Sequence, residues 1–266
     1  MSALAHEVVA MSRASSDLPR RLFRGLVTAL VLLGAWEGAV RGLQLPRYML
    51  PAPSRVVMVL VERSDFLLQQ AWITAFETLI GLVIGAGAGI ALALMLSVLP
   101  LARRYVLPVV VVSQALPVFA IAPLLVLWFG FGLASKIVMA SLIIFFPVTS
   151  AFYDGLRRTD PDLLDYAWLV RATPVQTLML IRLPAALPAL GSGLRVAAVF
   201  APIGAIVGEW VGSSQGLGFV MLQANARAQA DVVFAALVLL AAMALLLRTI
   251  VDKATRAMTP WQSETD

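Results

Sequence analysis

Long apolar segments alternate with short charged segments along the whole chain. A helix that crosses the hydrocarbon core of a bilayer needs roughly 20 mostly apolar residues. Six segments meet this requirement, and they are continuously apolar rather than alternating, so they predict helices and not the strands of a barrel. We therefore expect an all-α, polytopic membrane protein that forms a single domain over residues 1–266. Its six predicted transmembrane helices are residues 26–42, 72–98, 106–129, 137–153, 187–210 and 232–250.

The composition agrees with a chain that lies mostly in lipid. Hydrophobic residues make up 61% of the sequence and charged residues only 13%, with a mean hydropathy of +0.90, whereas soluble domains are roughly 25% charged. The absence of cysteine excludes disulfides, thiolate metal sites and thiol nucleophiles. A multi-histidine zinc site needs more than the one histidine of this chain, His6, which also lies outside the predicted spans. We therefore predict no metal, no cofactor and no catalytic residue, in a protein that is not an enzyme.

Basic residues occur in short clusters between the apolar segments. This arrangement is typical of the flanks of membrane helices, so the net charge of +5 indicates contact with the lipid bilayer rather than with nucleic acid. When the N-terminus is placed inside, most of the 20 Lys and Arg residues fall on the inner side, and Lys136 falls in an outer segment. The positive-inside rule then predicts cytoplasmic termini, with residues 1–24 as an inner tail and residues 154–184 as the longest inner loop.

Three ionisable residues lie deepest in the predicted spans: Glu77, Arg195 and Glu209. A lone charge in a bilayer is costly, so each is expected to pair or to face water. Pro117 and Pro123 interrupt the third span, and the carbonyls that a proline frees must face protein or a wet cavity. Two interpretations stay open for these five residues. They border a translocation path, or they serve helix packing through a buried Arg–Glu pair and filled kinks.

Glycines recur in two segments that have different meanings. Gly81, Gly85 and Gly89 lie on one face of the second span, which favours close helix packing, with a hinge or a part of the substrate path as the alternative. The segment 212–218 also contains glycines, but no strand precedes it and no Lys-Ser/Thr pair follows it, so it does not predict a phosphate-binding loop. We expect no ATP site in this chain.

The inner loop carries the most specific motif of the sequence. It contains Asp165-Tyr166-Ala167, then Arg171, and nine residues later Ile181-Arg182-Leu183-Pro184. This spacing resembles the cytoplasmic signature of binding-protein-dependent ABC importer permeases, which is Glu-Ala-Ala, three residues, Gly, nine residues and Ile-x-Leu-Pro. The Glu is replaced here by Asp, the first Ala by Tyr and the Gly by Arg.

The resemblance implies that this loop couples the permease to a cytoplasmic ATPase. Because arginine adopts a positive φ less readily than glycine, we expect either another turn geometry at Arg171 or a different joint between the two short helices. Thr173 and Pro174 are expected to start the second helix as its N-cap and first residue. Asp165 is expected near a helix N-terminus or paired with a basic group of the ATPase. The coupling residues implied by the resemblance are Asp165, Tyr166, Ala167, Arg171, Ala172, Thr173 and Pro174.

Further stretches are similar to the same family. The sequence Leu50-Pro51-Ala52-Pro53-Ser54 precedes a predicted surface helix over residues 55–65, with Ser54 as its N-cap. Residues 122–132 resemble the branch that handles sulfonates, taurine, nitrate and vitamin precursors. Residues 208–227 are most similar to permeases for the pyrimidine precursor of thiamine.

Membership of this family implies a fold, an assembly and a function. The fold is that of a type I ABC importer permease in a bacterial inner membrane, with the pore at the two-fold axis of a homodimer. The implied partners are two cytoplasmic ABC ATPase subunits and an extracytoplasmic solute-binding protein. The expected solute is a thiamine-precursor pyrimidine, and an alkanesulfonate, taurine or nitrate is the alternative. A proton-coupled secondary transporter is a more distant possibility, because such a protein needs no coupling loop.

Overall fold

The structure, a computed structural model, describes residues 23–114 and 116–261, and no strand occurs among these residues. The predicted N-terminal tail therefore lies almost wholly outside the described residues. A single π-helical turn, Leu178–Arg182, joins α8 to α9. The helices are α1 Phe23–Gly42, α2 Pro53–Glu62, α3 Ser64–Val98, α4 Pro100–Ser113, α5 Val118–Phe129, α6 Leu133–Arg157, α7 Pro161–Leu169, α8 Pro174–Thr177, α9 Leu183–Gly212, α10 Leu217–Ala226 and α11 Ala230–Met258.

Within the described residues, five helical segments are long and apolar enough to cross a membrane. They are α1, α3, α6, α11 and the continuous run Pro174–Gly212 that ends with α9. They contain five of the six predicted spans, which are confirmed as helices. α3 and α11 extend well beyond the predicted bounds, because polar residues at their ends continue the helix.

The third predicted span, 106–129, is a bent pair of helices, and the interruption expected at Pro117 is confirmed. It is divided into α4 and α5, whose axes are inclined at 101°. Pro117 is the N-cap of α5 and has extended backbone angles. A proline donates no N–H to the preceding turn and disfavours the helical conformation in the residue before it, so α4 does not continue through Pro117. Pro123 lies inside α5 without ending it. The sixth span exists only if this bent pair is counted as one.

α9 lies at the centre of the described bundle, where it contacts α3, α5, α6, α10 and α11. α3 and α6 also pack closely, and the glycines of α3 permit it. A Cβ on Gly85 would lie 2.7 Å from the carbonyl oxygen of Ser141, and one on Gly89 would lie 2.8 Å from that of Phe145. Gly87, on another face, has no such neighbour within 4 Å. The packing interpretation of the glycine stripe is therefore confirmed.

The N-terminus of α2 is capped from a distance rather than by its own sequence. α2 begins at Pro53, and its N-cap residue Ala52 supplies no side-chain bond, so the prediction that Ser54 caps a helix over residues 55–65 is wrong. The backbone N–H and the hydroxyl of Ser54 instead donate to the carboxylate of Glu37 in α1, at 3.0 Å and 2.7 Å. A carboxylate at a helix N-terminus is stabilising, so this contact joins α1 to the rest of the bundle.

Candidate functional sites

The α7–α8 hairpin, residues 161–177, contains the predicted coupling residues. α7 begins after Asp160, whose carboxylate accepts a hydrogen bond from the backbone N–H of Asp162 at 3.0 Å, and Pro161 is at the start of the helix. Asp165 lies in the middle of α7 and is exposed. Its expected place at a helix N-terminus is wrong, because Asp160-Pro161 starts the helix earlier. The alternative, a partner on the ATPase, stays a prediction.

The turn between the two helices has the conformation that a glycine would take. The N–H of Arg171 donates to the carbonyl of Trp168 at 3.0 Å, and the N–H of Ala172 donates to that of Ala167 at 2.9 Å. These two bonds form a Schellman motif, whose penultimate residue is left-handed. Arg171 has a φ of 54°. The expectation of another turn geometry is therefore wrong, and the arginine adopts the strained conformation at a cost of about 1–2 kcal/mol.

α8 starts as the sequence predicted. Thr173 is the N-cap, and Pro174 is the first helical residue. The N–H of Thr173 donates to Gln176 Oε1 at 2.8 Å, and the N–H of Gln176 donates to Thr173 Oγ1 at 3.3 Å. This reciprocal pair is a capping box, which satisfies two N–H groups at the helix start. The hairpin is thus held at both sides of its turn by local hydrogen bonds.

The surface of the hairpin exposes several large apolar side chains. Trp168 is 81% exposed, Leu169 is 73% exposed and Val175 is 66% exposed. Ala167 is buried and lines a cleft of about 380 Å³ that continues to Arg182 at the start of α9. Exposed apolar groups of this size on a rigid hairpin are typical of a protein-binding surface. Sequence reasoning missed the contribution of Trp168, because its exposure depends on how α7 packs.

A buried polar cluster lies toward the start of α3 and the end of α9, away from the hairpin. Glu77 and Glu209 are fully buried, and Lys136 is only 5% exposed. The ammonium of Lys136 donates to Glu77 Oε1, and it lies 3.1 Å from the hydroxyl of Ser213. Lys136, which we expected in an outer segment, lies inside α6. Its place inside the helix was not predicted, because a lysine next to an apolar segment is typical of the flank of a membrane helix.

Glu209 and two side chains of α3 hold the start of α10. The hydroxyl of Thr74 donates to Glu209 at 2.6 Å, and the other oxygen of Glu209 accepts from the N–H of Gly218. The N–H of Gly216 donates to Gln70 at 2.7 Å, and a Cβ on Gly216 would overlap the Glu209 carboxylate. The glycine-containing segment 212–218 therefore wraps around a carboxylate of its own chain.

Arg195 does not join this cluster. Its Nε lies 2.8 Å from Oδ1 of Asp252 on α11, and Asp252 also lies 2.9 Å from Arg256. The predicted Arg–Glu pair is therefore wrong. Asp252 was overlooked because it lies just beyond the predicted end of the sixth span. Pairs of this kind, near the end of a span, neutralise the charge of an arginine that would otherwise face lipid.

The five predicted path residues thus occupy three places. Glu77 and Glu209 share the buried cluster, Arg195 lies against α11, and Pro117 and Pro123 belong to α5, where both are exposed. Whether any of them borders a path stays a prediction. Among the described residues there is no group of three or more side chains that could hold a metal ion.

Comparison with known proteins identifies the family of the chain. Residues 67–263 match the family model described as binding-protein-dependent transport system inner membrane component. The chain belongs to this family. It is a permease subunit of an ABC importer, and the resemblance inferred from the coupling motif is confirmed.

Two relatives cover most of the permease. A probable ABC transporter permease protein of Haemophilus influenzae is 50% identical over 232 residues, which are 87% of this chain and 95% of the relative. The formylaminopyrimidine transport permease protein of Halalkalibacterium halodurans is 34% identical over 240 residues, 88% of this chain and 94% of the relative. A solved structure of the MetNI methionine ABC transporter, in an inward-facing conformation, has the same fold. It matches with a TM-score of 0.65 at 22% identity, over 74% of this chain and 98% of that one.

Proposed function

We propose that this permease forms a homodimeric pore through which an extracytoplasmic binding protein delivers a small solute, and that the α7–α8 hairpin receives the force of two cytoplasmic ATPase subunits. The observation that carries the proposal is the apolar, doubly capped hairpin in the segment that matches the family's coupling signature. Asp165, Tyr166, Ala167, Arg171, Ala172, Thr173 and Pro174 would form or shape the docking surface.

The connection from the hairpin to the bundle supports a mechanical role. α8 continues through the π-helical turn Leu178–Arg182 into α9 without a loop. Because α9 contacts α3, α6 and α11, a displacement of the hairpin would be transmitted to most of the spans. ATP drives the transport cycle only if the ATP-bound and free ATPases differ in their affinity for the two permease states. A flexible joint between the hairpin and α9 would not pass the displacement on, so the state of the ATPase could not be coupled to the state of the permease.

This role also fixes the orientation that we propose. If the hairpin faces the cytoplasm and α4 and α5 together make one crossing, the six crossings put both termini on that side, in agreement with the distribution of Lys and Arg. The buried Glu77–Lys136–Glu209 cluster then lies toward the outer face of the bacterial inner membrane.

Docking is tested at Trp168, with Trp72 as the matched control. Trp168→Ala removes an indole that is 81% exposed on the hairpin, and Trp72→Ala removes one that is 71% exposed on α3. Interface tryptophans are frequent hot spots, so we expect Trp168→Ala to weaken co-purification of the ATPase and ATP-driven uptake by about tenfold. Trp72→Ala should leave both unchanged. Full assembly and transport in Trp168→Ala would contradict the docking role.

For the solute, we propose a neutral or weakly cationic heterocycle such as a thiamine-precursor pyrimidine. The 34% identical relative is named for formylaminopyrimidine. Two carboxylates and one ammonium, those of Glu77, Glu209 and Lys136, share the buried cluster, so an anion nearby would meet no excess of positive charge. An alkanesulfonate, taurine or nitrate is the alternative, because the family motifs are shared with permeases for those solutes.

Uptake competition in cells that contain the complete transporter tests the solute. We expect excess formylaminopyrimidine to inhibit labelled uptake and an alkanesulfonate to have no effect. Inhibition by the sulfonate alone would reject the pyrimidine. Uptake that persists without ATP and follows the proton gradient would reject the importer mechanism itself.

A further inference from the structure

A basic pocket lies beside the α7–α8 hairpin, at the end of the bundle that faces the cytoplasm in the orientation proposed for the hairpin. It has a volume of about 460 Å³ and is formed where the end of α3, the start of α4, the end of α6 and the π-helical turn meet. It shares Ser97 and Arg182 with the cleft of the hairpin. It therefore lies at the same end of the bundle as the hairpin.

Four arginines line this pocket, and no carboxylate does. They are Arg103 and Arg104 of α4, Arg157 of α6 and Arg182 of the π-helical turn. None of the four forms an ion pair with an acidic side chain in the part of the chain that the structure describes. Four guanidinium groups around one space create a positive potential that attracts an anion.

Two buried polar atoms in this pocket have no hydrogen-bond partner among the described residues: the hydroxyl of Tyr153 and the Nε of Arg182. The Tyr153 side chain is 4% exposed, and its ring lies 5.6 Å from the guanidinium carbon of Arg157. Buried polar groups in proteins are nearly always hydrogen-bonded. A hydroxyl and a guanidinium N–H that lack partners in one pocket indicate an acceptor supplied from outside the chain.

The remaining walls describe that acceptor further. The first turn of α4 lies at the pocket through Pro100 and Arg103, and the Arg103 side chain adds positive charge there. Leu96, Leu107 and Leu156 form an apolar wall beside the arginines. An anionic group attached to an apolar chain matches both surfaces, and basic pockets between transmembrane helices on the cytoplasmic side bind lipid headgroups.

We propose that this pocket binds a phosphate group, and that the phosphate belongs to the headgroup of an anionic membrane lipid. Tyr153 donates its hydroxyl proton and Arg182 its Nε–H to the phosphate oxygens. The exposed arginines neutralise the charge, and an acyl chain of the lipid lies along the leucine wall. The binding does not depend on the solute or on the docking of an ATPase.

Native mass spectrometry of the full-length permease in neutral detergent tests the site. With phosphatidylglycerol added, we expect one lipid retained per chain, and with phosphatidylcholine at the same concentration we expect none. Tyr153→Phe combined with Arg182→Gln should weaken retention of phosphatidylglycerol by roughly a hundredfold or more, as expected for two lost hydrogen bonds to a charged group. Arg158→Gln is the matched control, since this arginine neighbours Arg157 but does not line the pocket; it should retain the lipid fully.

A second variant protects the test against a folding defect. Arg103→Gln combined with Arg104→Gln changes only exposed side chains and should also reduce retention. Inorganic phosphate added as a competitor distinguishes the two sources of the anion. Displacement of the lipid at equal concentration would assign the site to free phosphate and overturn the lipid assignment. Equal retention by the wild type and both variants would overturn the site altogether.

Discussion

Removal of Lys136 is the perturbation that the structure predicts most sharply. The side chains of Lys136 and Glu77 are 7% and 1% exposed, at the wall of a cavity of about 580 Å³, so bulk water screens their ion pair only weakly. Glu209, which is also fully buried, lies in the same cluster. Lys136→Met keeps the length and packing of the side chain but leaves two buried carboxylates without a cation.

The magnitude follows from this burial and from the difference between the two partners. Removal of one partner of a buried ion pair costs about 3–5 kcal/mol. Lys136→Met should lie at the upper end of this range. Glu77→Met should cost about 1–2 kcal/mol less, because the ammonium of Lys136 would still have Glu209 nearby as a counter-ion. The double variant removes both charges, and replacement of a whole buried pair by apolar groups is often close to neutral.

Thermal unfolding of the purified permease in detergent measures the effect. A loss of this size corresponds to a midpoint lowered by roughly 10 °C in a chain of this length. Lys253→Met is the control, because Lys253 is the other of the chain's two lysines and is exposed on α11; it should leave the midpoint unchanged. The reasoning is refuted if Glu77→Met is as damaging as Lys136→Met, or if the double variant is no more stable than Lys136→Met.

Three further predictions concern local geometry. Arg171→Gly should stabilise the permease by about 1 kcal/mol, since glycine adopts the left-handed turn freely; a lower unfolding midpoint would contradict this. Gly85→Ala should cost about 1–3 kcal/mol, because its Cβ would lie 2.7 Å from the carbonyl oxygen of Ser141, whereas Gly87→Ala should be neutral or slightly stabilising. Thr173→Ala should cost about 1 kcal/mol through the lost cap and should speed proteolysis within the hairpin. Unchanged cleavage would contradict a stabilising role of the capping box in the hairpin.

The transmembrane helices could be predicted because their signal is local. A segment of continuous apolar residues must satisfy its backbone internally in a bilayer, and a helix is the solution available within one segment. The same holds for the start of α8, where Thr173, Pro174 and Gln176 are close neighbours in sequence. The family, too, could be inferred from short-range spacing, because the coupling motif occupies 20 consecutive positions between Asp165 and Pro184.

The tertiary structure alone decided how the charged residues are paired. Lys136 and Glu77 are 59 positions apart, and Ser54 is capped by Glu37 of another helix, so no local pattern identifies either partner. Arg195 had two candidate glutamates by depth in the membrane, but the rotation of α9 directs it to Asp252 instead. Depth can be estimated from sequence, whereas the face of a helix that meets a given neighbour depends on packing of the whole bundle. The conformation of Arg171 is also decided by the completed structure, since two backbone hydrogen bonds of the turn outweigh the preference of the residue for a negative φ.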